Sequence, residues 1–296
     1  MQKAQTTKTN KAADIFTDWA MGFLRFVVLA ALAGLSWYAY DFFAHEIDAG
    51  QVVSILERVP QPPDEPQATP EAGARGIYPP PDVERAYLAA REAEGRERFS
   101  EILSACPDFW GYIEIPGLLD KHPFVQAADN DYYLFRNLEG VRSASGTVFM
   151  DCRNDPYFMD HNTLLYAHNM KSGRMFAALP RKYKEPSAKT IENLEASPVV
   201  EVDSLTGRTR WVIFAAFECE KDMGYDITGR DAAQFAGLLD EIRARSVFQC
   251  DLPVTPEDRI LTLSTCDYSF KNARFVVFAR RLRPGEAQPG VRYTLS

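Results

Sequence analysis

The sequence predicts a mainly β protein, a closed or nearly closed barrel of about eight short strands with helices on its outside. Three observations carry that expectation. Past the first hundred residues the chain breaks into short apolar or β-branched runs separated by turns, near Trp110–Ile115, Phe124–Gln126, Thr147–Asp151, Thr163–His168, Val199–Asp203, Arg210–Glu220, Ile260–Cys266 and Arg274–Arg281. Only two later stretches interrupt them with helical character. One is Gly173 to about Tyr183, broken by Pro180; the other is Ala232 to about Phe248, where Phe235, Leu238, Leu239 and Ile242 recur at helical spacing. The last two strands are joined by the polar stretch Asp267–Asn272 and read as a hairpin-like return.

The chain is long enough to bury a sizeable core: 296 residues, 46% hydrophobic and 25% charged. A formal charge of -8 excludes the basic footprint that a nucleic-acid binder needs. Five cysteines (Cys106, Cys152, Cys219, Cys250 and Cys266) leave at least one unpaired. No two stand at C-x-x-C spacing, so no metal site is expected.

Taken in order, residues 1–18 are polar and carry Lys3, Lys8 and Lys11. Residues 19–43, from Trp19 to Phe43, are almost wholly apolar and would span about 37 Å as a helix, against a hydrocarbon core of about 30 Å. The run exceeds the apolar core of a signal peptide, so an uncleaved transmembrane anchor is expected. Arg25 lies near its start, Trp19, Trp37, Tyr38 and Tyr40 near its ends, and Asp41, Glu46 and Asp48 follow. Basic residues on the N-terminal side alone place residues 1–18 in the cytoplasm and the rest outside. Residues 44–81 read as an extracellular spacer, stiffened by eight prolines between Val59 and Pro81. Residues 82–296 form the outward-facing domain, opening with a helix from Asp82, its expected cap, to about Cys106.

Chemistry concentrates at two strand ends. The hairpin sets Cys266 beside Arg274, and a neighbouring guanidinium favours the thiolate. Two readings stand for Cys266: a small packed hydrophobe, as free thiols usually are, or a nucleophile. His168 ends the apolar strand Thr163–His168 and is followed by Asn169. Of the four histidines, His45 adjoins the apolar segment, His122 precedes a proline and His161 sits in a polar turn. His168 is therefore either a satisfied core histidine or an oriented acid–base group.

The stretches LLYAHNM (residues 164–170) and TLSTCDYSFKNARFVVFARRL (residues 262–282) resemble sortases, the membrane-tethered cysteine transpeptidases of Gram-positive surfaces. FWGYIEIPG, HPFVQAADNDYYLFRN and GTVFMD are similar to class B segments. The resemblance covers about residues 82–283, and the eight-residue step from Cys266 to Arg274 looks like the clostridial-type subset. It implies a sortase barrel, Cys266 as nucleophile, His168 as general acid/base and Arg274 as oxyanion or substrate-binding arginine. Ser264, Thr265 and Asn169 become lesser candidates for binding substrate. No cofactor or metal is implied. The implied activity is cleavage of a C-terminal sorting motif after threonine through a thioester, followed by transfer to an amine. Partners would be surface proteins or pilins bearing that motif, with a lipid II-type cell-wall precursor or a pilin lysine as acceptor. An N-P-x-T-x signal and a P-x-T-G-like one are both compatible, as are an uncharged Cys–His pair and a thiolate–imidazolium pair. The alternatives are a surface cysteine peptidase that only hydrolyses, and a membrane-tethered binding module in which Cys266 is inert.

Overall fold

The computed structural model describes residues 21, 23–36, 77–225, 232–266, 269, 271–287 and 290–296. They belong to two compact units, Met1–Val52 and Val53–Ser296. In the first, residues 23–36 are helical. Among the described residues no helix is long and apolar enough to cross a membrane. The rest of the predicted 19–43 anchor, apart from residue 21, and the predicted spacer up to residue 76 lie outside the described residues.

The second unit opens with α1 (Pro81–Arg98). Its N-cap is Pro80 rather than the expected Asp82, which sits with Glu84 in the first turn. Proline suits a helix start because the first N–H groups have no partner in the helix, and acidic residues favour its positive end. The helix breaks at Phe99 and resumes as α2 (Ser100–Ala105).

Eight strands then close into a barrel in the order β1-β2-β3-β4-β8-β9-β6-β5. They are β1 (Phe109–Ile115), β2 (Leu119–Val125), β3 (Val148–Met150), β4 (Asn162–Ala167), β5 (Val199–Ser204), β6 (Gly207–Glu220), β8 (Ile260–Cys266) and β9 (Ala273–Arg281). Each matches an expected strand. β2 begins five residues before its predicted start, because Asp120, Lys121 and His122 hide the pattern and Pro123 ordinarily marks a strand edge. Helix α3 (Ala178–Tyr183) keeps only the second half of its predicted span. The sequence reading missed α4 (Ala188–Ala196), capped by the Ser187 hydroxyl accepting from the Thr190 N–H. It also missed a two-stranded sheet of β7 (Phe248–Cys250) and β10 (Tyr293–Leu295).

Period-two alternation sorts the strands into two layers. Leu165 and Ala167 of β4, Leu261 and Leu263 of β8, and Phe275 and Val277 of β9 fill the barrel. Leu164, Ile260, Val276 and Phe278 point the other way. There they pack under α5 (Ala232–Arg245), whose Phe235, Leu238, Leu239 and Ile242 form the expected stripe. Each such side chain, fully buried, stabilises the fold by about 1.5–3 kcal/mol.

Candidate active site

The site follows from strand pairing. β4 and β8 run parallel with Ala167 opposite Thr265. β8 and β9 run antiparallel with Cys266 opposite Arg274, and β9 pairs with β6 so that Arg274 faces Cys219. Odd-numbered residues of β4 and β8 enter the barrel, so Cys266 and Arg274 point to its outer face. His168, one residue past Ala167, continues the same row at the end of β4. Strands in a sheet lie about 4.8 Å apart, so three neighbouring strand ends bring the three side chains to one rim.

All three are half-buried, reachable from solvent yet held by the sheet. His168 is the most constrained. Its backbone carbonyl accepts from the Phe176 N–H at 3.0 Å. Its Nε2 lies 2.7 Å from the carbonyl oxygen of Leu134, and its ring packs against Phe135 with centroids 5.3 Å apart. Arg274 directs Nη1 to the Ala273 carbonyl at 3.1 Å.

The lesser candidates take different places. Asn169 donates its Nδ2 to the Cys266 carbonyl at 3.0 Å, tying the end of β4 to the end of β8. Ser264 lies on the outer face, 1% exposed, with its hydroxyl 2.9 Å from the Tyr225 hydroxyl. Thr265 is 2% exposed and donates to the Ala167 carbonyl at 2.7 Å. Beside Ser264 in the outer row, Tyr166 donates to Asp151, which Arg153 also binds through Nε and Nη2. Beyond Cys266, Lys184 contacts Ser269 and pairs with Glu218 at 3.1 Å.

None of the five cysteines forms a disulfide among the described residues. Burial pushes the Cys106 thiol up and the Cys250 thiol to about 11, which keeps both protonated at neutral pH. Cys219, in the row of Arg274, is buried. Cys266 is half-buried and pairs across the β8–β9 hairpin with Arg274. Among the described residues no cluster of three or more His, Cys, Asp or Glu side chains could hold a metal ion.

Sequence reasoning assigned no role to Leu134, Phe135 or Tyr225. The only signal at the first two was their place inside the quoted stretch HPFVQAADNDYYLFRN.

The sortase domain family model matches residues 113–282. Sortase B of Listeria monocytogenes is 34% identical over 187 residues, 62% of this chain and 74% of that protein. Sortase B of Staphylococcus aureus is 31% identical over 199 residues, 66% and 79% respectively. Among solved structures, Clostridium perfringens sortase B superimposes with a TM-score of 0.56 at 31% identity, covering 62% of this chain and 98% of the other. A Staphylococcus aureus sortase B–substrate complex gives a TM-score of 0.58 at 26% identity, covering 68% and 94%.

Proposed function

The chain belongs to the sortase family, in its class B, and is a cysteine transpeptidase; from that premise we propose that Cys266, His168 and Arg274 carry the reaction, on a protein substrate presented to the outer rim of the barrel. The observation behind this reading is the single row formed by the ends of β4, β8 and β9. The Cys266 thiolate attacks the carbonyl carbon after the threonine of a C-terminal sorting motif. Negative charge develops on the carbonyl oxygen, and the Arg274 guanidinium, with N–H donors in a planar fork, stabilises it. The tetrahedral species collapses, the C–N bond breaks, and the proton held by His168 goes to the departing amine. A thioester remains on Cys266. A second amine, from a cell-wall precursor or a pilin lysine, loses a proton to neutral His168 and attacks, releasing the joined product and the thiolate.

The same reading ties the enzyme to a membrane through residues 19–43, with the catalytic domain outside the cell. Supporting it, the helical residues 23–36 expose Phe23, Leu24, Phe26, Val27, Leu29 and Leu32. On a helical wheel these point in nearly all directions, the pattern of a helix solvated by lipid.

The test is peptide cleavage by three variants, with products identified by mass spectrometry. Cys266→Ala should abolish thioester and product. His168→Ala should stop turnover. Arg274→Lys keeps the charge, loses the fork, and should cost on the order of 10²–10³ in kcat. Near-normal turnover by Arg274→Lys would move the oxyanion role to backbone donors. If the wild type released only hydrolysed peptide in the presence of amines, the hydrolytic peptidase would replace the transpeptidase.

A further inference from the structure

The turn before β3 holds His168 in a way the three-residue mechanism does not require. Residues Tyr132–Phe135 form one 3-10 turn. Two of its carbonyls are engaged by the segment that follows: Tyr133 O accepts from the Thr147 N–H and Phe135 O from the Ser143 N–H, each at 3.0 Å. The carbonyl between them, Leu134 O, faces His168 Nε2 at 2.7 Å. A carbonyl oxygen can only accept, so Nε2 carries its hydrogen in this arrangement whether the ring is neutral or charged. In the neutral ring the lone pair is then on Nδ1. The Phe135 side chain, 52% exposed, lies against the imidazole at an interplanar angle of 38° and limits its rotation.

What leaves room for this carbonyl is Gly146. Its φ is +59°, and a Cβ there would lie 2.4 Å from Leu134 O, 2.7 Å from Tyr133 O and 2.9 Å from Leu134 C. These are backbone atoms, so an added methyl group must displace the turn.

We propose that the Tyr132–Phe135 turn is a positioning element for proton transfer: Leu134 O fixes His168 as the Nε2–H tautomer, Nδ1 exchanges protons with the leaving and attacking amines, and Gly146 keeps the carbonyl in place. This rests on His168 being the acid–base residue. In the first half-reaction Nδ1–H protonates the amine as the C–N bond breaks, leaving Nδ1 with its lone pair. In the second, Nδ1 takes a proton from the attacking amine. The Nε2–H bond stays intact throughout.

The test uses the full chain in detergent, labelled with 15N-histidine, and a His168→Gln spectrum to assign the signal. Neutral His168 should appear as the Nε2–H tautomer alone. Gly146→Ala should give a mixture of tautomers and lower kcat at least about tenfold with little change in KM, a fraction of the 10²–10⁴ that a placed acid–base group contributes. Gly140→Ala is the control. That glycine also has a positive φ, +74°, but its Cβ would meet only the Tyr132 hydroxyl, at 3.0 Å. It should leave the tautomer and kcat unchanged. An Nδ1–H tautomer in the wild type overturns the proposal even if Gly146→Ala fails to fold, and so do equal effects of the two alanines. The spectrum is read without turnover, so the tautomer can be refuted while His168→Ala still shows the acid–base role, and the reverse.

Discussion

At the scale of single residues, a buried carboxylate just past β3 ties stability to pH. Asp151 is 0% exposed. Burial alone would raise its pKa, but hydrogen bonds and charge from Arg153, with a further bond from Tyr166, hold it below the usual carboxylate range. The folded protein therefore binds fewer protons at this site than the unfolded chain does. Its contribution is present above the unfolded pKa of about 3.9 and is lost as the pH falls through the folded value. Asp151→Asn should lower stability at pH 7 by about 1–3 kcal/mol. The difference should shrink as the pH falls below about 4. Denaturant melts of both proteins between neutral and acid pH give the answer, and a difference independent of pH would assign the loss to packing. The residues at the rim were visible in the sequence because cysteine, histidine and arginine are chemically distinctive and stand at strand ends. The Leu134 carbonyl was not, because a backbone acceptor leaves no mark on residue type. Its place beside His168 depends on a turn that joins segments 34 positions apart in the chain.

At the scale of elements, α1 is fastened to the β5–β6 connection through a glycine. A Cβ on Gly95 would lie 1.9 Å from Leu205 O, so the helix backbone rests directly on the chain beneath it. Three residues on, Arg98 donates to both carboxylate oxygens of Asp203, at 2.8 and 2.6 Å. Alanine ordinarily favours a helix over glycine by about 1 kcal/mol. Here Gly95→Ala should destabilise instead, by about 1–3 kcal/mol, because the helix must lift and strain the Arg98–Asp203 pair. A rise in Tm would refute the close approach. The barrel strands were legible because hydrophobic residues on both faces of β4, β8 and β9 give continuous apolar runs. β7 and β10, three residues each, are too short to set up a period. α4 was passed over because Ser187 and Ser197 at its ends read as loop chemistry, although Ser187 is its cap.

At the scale of the whole molecule, the proposed topology makes a prediction of its own. Lys3, Lys8 and Lys11 precede the 19–43 segment and Arg25 lies near its start, so protease added to intact protoplasts should digest residues 82–296. Full protection would reverse the orientation. The fold class and barrel closure could be expected from eight short runs in one chain. Strand order could not, because the parallel β4–β8 neighbours are about a hundred residues apart and no local pattern records such a pairing.

That pairing also orders the enzyme's biogenesis. β8 and β9 are the last two strands of the barrel and lie between β4 and β6, which are made earlier. Until residue 266 has been synthesised His168 ends a strand with no complete β8 to pair with, and until residue 281 the barrel is an open sheet. The thiol and the arginine opposite it lie on one hairpin, whose insertion both seals the barrel and completes the proposed catalytic row. On the proposed roles, a chain that stops short of residue 266 would carry the acid–base histidine but no nucleophile.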